Sequence, residues 1–373
     1  MPLPAAVINA TFDDMPRRCG LPPDLAIAGG FNLGFHHRGS VDEHPETDRF
    51  AAVIPLPKVL FTLKVPPEHL APLYGVAELL LPNTHERNVL SRDGLLKHLG
   101  DCEAFISQGE VAVNAGFLDA APRLRMVANA AMGVDNLDLE ELTRRGIQAT
   151  NTPDAFAIST ADLTMGLILS VTRRIAEGDR FIRTGEWAEL GLQPRRWEGS
   201  AIAGKTLGII GYGRIAKLVE QRARAFDLNV IHTRQTLNDH PHCRPFNDLL
   251  AESDLVVVLC PLTDSTRHLI DAKALAMMKP GAVLINVARG KVMDEAAVVD
   301  SLRSGHLAAA GFDVFEEEPV VHPALLEMEN VVMTPHIGGA TDEERQRGRR
   351  EAAEEVALFL QGKPVQYPVN SIS

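Results

Sequence analysis

The stretch Thr206-Leu-Gly-Ile-Ile-Gly-Tyr-Gly-Arg-Ile-Ala216 passes from a short apolar run directly into Gly211-Tyr212-Gly213-Arg214-Ile215-Ala216. A strand, a glycine-rich turn and a helix in that order are the fingerprint of a dinucleotide-binding unit. Gly211 is expected to make the tight turn and Gly213 to let the backbone approach a pyrophosphate. Ala216 keeps helix and strand close, and the phosphates rest on the helix N-terminus. Glycines alone can serve an ordinary loop. Here the apolar positions Ile215, Leu218, Val219 and Ala223 recur at helical spacing through Phe226, so Tyr212, Arg214 and Ile215 join the expected cofactor contacts.

The next strand, Asn229–Thr233, should end in an acidic residue about 20 positions beyond the first glycine if the ligand is NAD. Arg234 stands there instead. Its forked, permanent charge suits a 2′-phosphate, with Thr233, Gln235 and Thr236 adding hydrogen bonds, so NADP(H) is favoured and NAD(H) is the alternative. The other reading of Arg234 is a solvated arginine beside a tolerant NAD site.

Outward from this unit the chain keeps alternating between apolar strands and helical stretches. Leu255–Leu259, Ala282–Ile285, Ala308–Phe312 and Val331–Met333 are continuously apolar, as strands covered on both faces are. Upstream, Val59–Leu63 reads as a strand, Pro66–Leu73 as a short helix and Ala77–Leu81 as a strand. A helix at Arg92–Leu99, a strand at Ala104–Ser107, a helix near Ala115–Ala120 and a strand at Arg125–Asn129 follow. Such alternation predicts parallel sheets with helical crossovers. Thr160–Ile175 carries an unbroken apolar stripe and reads as one long buried or interface helix. Phe181–Gly199 holds both tryptophans, Trp187 and Trp197, in a Gly/Pro/Arg-rich stretch suited to wrapping a surface or a partner subunit. Asp342–Gln361 reads as the closing helix, and residues 1–57, rich in Pro, Gly, His and Asp, as an extension of unassigned role.

At 373 residues and 45% hydrophobic content the chain suffices for two ordinary domains. A net charge of −12 leaves no broad basic face, which disfavours nucleic acid. Cys19, Cys102, Cys243 and Cys260 lack CxxC spacing, so neither a zinc site nor a disulfide framework is expected and the default is buried small side chains in a reducing compartment. No run approaches the roughly 18 apolar residues of a membrane span, and the start lacks a leader pattern; a cytoplasmic protein is expected.

Three polar residues follow the strands of the glycine-rich half. His336 lies just beyond Val331–Met333, at the carboxyl end where open α/β sheets hold ligands. Imidazole there suits proton transfer near neutrality, although a lone histidine is more often structural. Arg289, in Asn286-Val287-Ala288-Arg289-Gly290, offers a fork for a carboxylate or caps a turn, and Gly290 beside it favours close approach by a ligand. Glu316-Glu317-Glu318-Pro319 supplies a carboxylate partner for His336, with the choice among three open.

From about residue 58 to 370 the chain resembles the D-2-hydroxyacid dehydrogenase family. The resemblance is carried by VANAAMGVDNLD (127–138), 146–162, 204–216, CPLTDST (260–266), NVARGKVMD (286–294), GFDVFEEEP (311–319) and TPHIGGAT (334–341). It implies two Rossmann-like doubly wound α/β domains, the coenzyme domain (156–339) inserted into the substrate domain (58–155 and 340–373). It implies His336 as acid/base, Glu318 before the proline as its partner, and Arg289 as the grip on the substrate. Glu316 and Glu317 are then solvated loop charges. Asp313 would orient the nicotinamide carboxamide, with Cys260, Pro261, Thr263, Val287, Ala288, Gly338 and Gly339 bordering the cofactor. Met132 and Gly133, with Gln108 and Gly109 as the other loop, would receive the substrate carboxylate, while Asp135 reads as structural. Residues 108–111 depart from commoner family sequences.

The reading is a cytoplasmic, homodimeric NAD(P)-dependent reductase of small 2-keto acids, most similar to the glyoxylate/hydroxypyruvate reductase branch, with no nucleic acid, membrane or metal partner. Alternatives on the same scaffold are phosphoglycerate, formate or phosphite dehydrogenases. From another class comes a dinucleotide-sensing interaction protein similar to the C-terminal-binding corepressors.

Overall fold

Strand β6 (Thr206–Ile210) is buried along its length because Leu207, Ile209 and Ile210 have helices on both sides. The computed structural model describes residues 55–81, 92–237 and 239–372. The first 54 residues, and with them almost all of the expected extension and Cys19, lie outside the described residues.

The upstream strands β1 (Lys58–Phe61), β2 (Glu78–Leu80), β3 (Ala104–Ser107), β4 (Met126–Asn129) and β5 (Gln148–Thr150) form one parallel sheet in the order β2-β1-β3-β4-β5. The second sheet joins β6 to β7 (Asn229–Thr233), β8 (Leu255–Val258), β9 (Ala282–Asn286), β10 (Leu307–Phe312) and β11 (Val331–Met333), in the order β11-β10-β9-β8-β6-β7. Every pairing within the two sheets is parallel, with Ile209 opposite Val257 and Val257 opposite Ile285 at the centre. The doubly wound α/β class is as expected.

Helix Ala157–Thr172 lays Ala161, Met165, Ile168 and Val171 against Leu207, Ile209, Val257 and Ile285 of the second sheet. Each buried Val, Leu, Ile or Met among them contributes roughly 1.5–3 kcal/mol. Its inward hydroxyls are not orphaned: Thr160, Thr164 and Thr172 donate back to the carbonyls of Phe156, Thr160 and Ile168 at 2.6, 2.7 and 2.7 Å. The last helix, Asp342–Leu360, is capped by the Thr341 hydroxyl and buries Ala352, Ala353 and Val356 against the first sheet. The chain therefore leaves the first sheet, builds the second and returns; Asn370 still holds the Ala149 amide at 2.8 Å.

Several expectations shift. The stripe expected as one helix over Thr160–Ile175 runs Ala157–Thr172, and Arg174, in the left-handed region at φ 55°, ends it before a separate helix, Ile175–Arg183. The guanidinium of Arg174 then holds the buried Glu177 through two bonds of 2.7 Å. The short helix expected at Pro66–Leu73 is a 3-10 helix over Pro67–Leu73. Strand β5 and helix Leu139–Arg144 had no counterpart in the sequence reading. In the tryptophan-bearing stretch, Trp197 turns inward onto Phe181, with ring centroids 4.9 Å apart, while Trp187 stays exposed. Cys102 and Cys260 are buried and Cys243 only partly so.

Candidate active site

The carboxyl ends of the second sheet converge on a cleft facing the loops that follow β3 and β4. Its two adjoining chambers, about 460 and 660 Å³, share Gln108, Gly133, Asp135, Arg289, His336 and Arg345.

Gly211 follows β6 at φ 92°, a conformation that favours glycine, and a Cβ there would meet the Cys260 backbone at 2.6 Å. The turn is closed by the Gly211 amide donating to the Thr233 carbonyl at 3.0 Å. Gly213 has open space where a side chain would be, and helix Arg214–Ala225 begins without a side-chain cap. Its first amides are thus available to an anion, so the turn fits a dinucleotide pyrophosphate. Ala216 is fully buried beneath it.

Of the other expected cofactor residues, Ile215, Cys260, Pro261, Val287, Ala288, Asp313, Gly338 and Gly339 line the first chamber. Thr263 sits in an exposed turn whose hydroxyls bond one another. Tyr212 stacks on His232 at 3.6 Å and bonds Glu220, so its ring faces β7 rather than the cleft. Burial and that carboxylate push the Tyr212 hydroxyl up to about 12. Arg214 pairs with Asp154 and the Pro153 carbonyl, tying the helix start to the segment that leaves the first sheet. Thr233 is buried at the end of β7, with Arg234 and Gln235 exposed beyond it. Burial pushes the Cys260 thiol up to about 11, which disfavours the thiolate form.

Asp313 is buried and fully engaged. Its Oδ1 accepts from the Thr334 hydroxyl at 2.6 Å and the Ile337 amide at 2.8 Å, and its Oδ2 from the Gly338 amide at 2.7 Å. It therefore holds the turn that carries His336. Within that turn His336 adopts φ 53°, a strained conformation for a side-chain-bearing residue.

His336 Nδ1 lies 2.8 Å from Glu318 Oε2, while Glu318 Oε1 accepts the Phe315 amide at 2.9 Å. Burial alone would raise the Glu318 carboxyl. The bonds from His336 and Phe315, with the positive charges of His336 and Arg289, outweigh it and hold the carboxyl below its ordinary value. An ionised Glu318 can only accept, so Nδ1 carries a proton and Nε2 is left to the cleft. Among the three glutamates the arrangement agrees with the choice of Glu318. Glu316, however, is no free loop charge: it bonds His268 Nε2 at 2.6 Å and receives the Glu295 amide. Glu317 pairs with Lys291 at 3.4 Å.

Arg289 follows β9. Its Nε donates to Asp135 Oδ1 at 2.9 Å and its Nη1 to the Ala288 carbonyl at 2.8 Å. Gly290 does not make room for a ligand: a Cβ there would strike the Phe315 carbonyl, so the close approach is by the chain's own backbone, which brings Arg289 and Glu318 together. Gly133 clears space for Arg289 itself; a Cβ would lie 2.9 Å from its Cζ. Met132 lines the first chamber, Gln108 and Gly133 both and Gly109 the second.

Asp135, Phe156 and Arg345 escaped the sequence reading of the cleft. Phe156, at φ 71°, seats its ring where side chains on Gly339 and Gly348 would be, with Gly339 leaving 2.7 Å. A bulky residue opposite two glycines is a signal only once the fold pairs them. Asp135 stands two residues beyond Gly133, and Arg345 in the first turn of the last helix, where helix start and charge were legible but direction was not.

Residues 165–338 match the model of the D-isomer specific 2-hydroxyacid dehydrogenase, NAD binding domain. A glyoxylate reductase of Thermococcus onnurineus is 40% identical over 316 residues, covering 82% of this chain and 94% of that protein. Among solved structures, an NADPH-dependent glyoxylate/hydroxypyruvate reductase from Sinorhizobium meliloti superposes with a TM-score of 0.73 at 30% identity, covering 84% of this chain and 96% of that one. A D-lactate dehydrogenase from Aquifex aeolicus, in complex with NAD and lactic acid, gives 0.73 at 27% identity over 84% and 100% of the respective chains.

Proposed function

The chain belongs to the D-isomer specific 2-hydroxyacid dehydrogenase family, and from that premise we propose that it reduces glyoxylate and hydroxypyruvate-like 2-keto acids to D-2-hydroxy acids with a nicotinamide dinucleotide. It is an NAD(P)-dependent oxidoreductase. The observation that carries the reading is the His336–Glu318 pair beside Arg289 in one cleft next to the glycine turn.

The Gly211–Gly213 turn and the start of helix Arg214–Ala225 would hold the dinucleotide phosphates, with Ile215, Cys260, Pro261 and Val287 bordering its nicotinamide side. When bound, that group supplies the hydride. Arg289 presents its Nη2 edge towards Gly133, where it grips the substrate carboxylate and polarises the keto oxygen, aided by backbone amides of the Met132–Gly133 loop. His336 delivers a proton from Nε2 to the developing alkoxide, and Glu318 steadies the imidazolium from Nδ1.

NADP(H) preference rests on Arg234, exposed after β7 and, among the described residues, without an ion pair. We take 58–155 with 340–373 as the substrate domain and 156–339 as the coenzyme domain, in accord with the two sheets. A homodimer accounts for the exposed Ile175, Ile182, Trp187, Leu190 and Leu192. Among the described residues no helix is long and apolar enough to cross a membrane; a cytoplasmic location accords with the free cysteines.

The test is oxidation of NADPH and NADH, offered separately, with glyoxylate, hydroxypyruvate and pyruvate, in wild type and Arg234→Asp. Turnover with NADPH first, shifting towards NADH in the variant, is expected. Dinucleotide binding without turnover of any keto acid would overturn the enzymatic reading in favour of a sensor.

A further inference from the structure

The larger chamber is bordered by five carboxylates, each with a partner. Asp135 has Arg289 at 2.9 Å, Glu316 has His268 at 2.6 Å, Glu317 has Lys291 at 3.4 Å and Glu318 has His336 at 2.8 Å. The fifth, Glu110, takes the Thr62 hydroxyl and the Gln108 amide. Among the described residues, two guanidinium groups bordering the same chamber enter no ion pair: Arg345, half-buried, and Arg267, exposed at the rim. Among the described residues, Arg345 and Arg267 are thus the guanidinium groups of this chamber left without a carboxylate partner.

Arg345 is the better placed of the two. It borders both chambers alongside His336 and Arg289, from the first turn of the last helix. One turn on, Arg349 is half-buried and donates to Gln108 Oε1 at 2.7 Å, fixing that side chain in the cleft wall. Like charges four residues apart on a helix repel, and among the described residues no carboxylate is paired with either. A chamber of about 660 Å³ also exceeds what a two-carbon keto acid fills.

We propose that Arg345 forms a second anion subsite, selecting 2-keto acids that carry a carboxylate or phosphate beyond the keto carbon. Arg289 takes the C1 carboxylate, and Arg345 meets the distal anion on the far side of the keto group, with Arg267 adding charge at the rim. This rests on the 2-keto acid reductase reading and specifies its substrate class.

The experiment compares kcat/KM within two matched pairs, 2-oxoglutarate against 2-oxopentanoate and 3-phosphohydroxypyruvate against hydroxypyruvate, in wild type, Arg345→Leu and Arg345→Gln. Glyoxylate is the common reference. Wild type is expected to favour the charged member of at least one pair, and which pair shows whether carboxylate or phosphate is preferred. Removing the guanidinium should cut that preference about 30- to 100-fold, as loss of a charge-assisted hydrogen bond does. No preference in wild type, or an equal loss on both members in either variant, overturns the subsite. The wild-type comparison stands even if a variant does not fold. Absence of glyoxylate reduction in wild type would instead overturn the reductase reading.

Discussion

Arg289 and Asp135, 154 residues apart in sequence, meet across the cleft with Nε 2.9 Å from Oδ1. Bound there and to the Ala288 carbonyl through Nη1, the guanidinium has two nitrogens fixed by the protein and Nη2 left for substrate. An arginine held in this way loses less rotamer freedom when it grips a ligand. Asp135, structural by its sequence context alone, is thereby a positioning residue for the proposed site.

Asp135→Ala should therefore raise KM for glyoxylate and lower kcat/KM about tenfold, the cost of one lost charge-assisted hydrogen bond at a partly exposed site. Asp135→Asn, which keeps an acceptor oxygen, should retain most of the activity. Steady-state kinetics of both variants check this; an unchanged KM in the alanine variant would remove Asp135 from the site.

The proton-transfer assignment predicts that His336→Ala lowers kcat by about 10²- to 10⁴-fold with little effect on dinucleotide affinity. Stopped-flow turnover beside fluorescence titration of NADPH separates the two. Loss of affinity in proportion to kcat would mean that His336 only holds the turn together.

Glu318 gives a pH signature. Its carboxyl is held below the ordinary value in the folded protein, so its pairing contributes stability above the unfolded carboxylate value and loses it as pH falls through the folded one. With the side chain about a third exposed, at 35%, solvent screening limits the effect to about 0.5–1 kcal/mol. Urea unfolding should find Glu318→Gln less stable than wild type at pH 7, with the gap closing below about pH 4. A gap that persists in acid would assign the loss to packing.

His232 is fully buried against Tyr212, and among the described residues neither ring nitrogen has a hydrogen-bond partner. Burial first, then the charges of His240, His242 and Arg234, lowers its pKa, with Glu220 opposing. The unfolded chain then binds the proton more readily, so this contribution to stability is lost as pH falls below about 6.5. His232→Phe keeps the ring stack and removes the unsatisfied nitrogens. Its unfolding free energy should exceed that of wild type by about 1 kcal/mol at pH 7 and by more at pH 5.5. Equal pH slopes would show that another group carries the dependence.

Phe156 and Gly339 should be energetically coupled, since a Cβ on Gly339 would lie 2.7 Å from the Phe156 ring. Gly339→Ala is expected to destabilise by about 2 kcal/mol alone and by much less in a Phe156→Ala background, a coupling of about 0.5–3 kcal/mol. Thermal unfolding of the four proteins measures it. Additive losses would show that the ring moves aside freely.

The chain's periodicity and its glycines determined a great deal by themselves. Short continuous apolar runs have the character of strands covered on both faces, and Gly211-Tyr-Gly213 between such a strand and a helical stretch points to a phosphate turn. Arg289 and His336 could be picked out as candidates because each follows a strand of one sheet and the carboxyl ends of a parallel sheet share a side, whereas Glu318 was singled out among three adjacent glutamates only by the family resemblance. Local pattern cannot report which way a side chain turns once two sheets face each other. Gly290 as a seat for Phe315, Asp135 on Arg289, Glu316 on His268 and the unanswered charge of Arg345 are contacts between segments far apart in the chain. Tertiary packing alone decided them, because a side chain's partner depends on the position of another segment that its own neighbours in sequence do not encode.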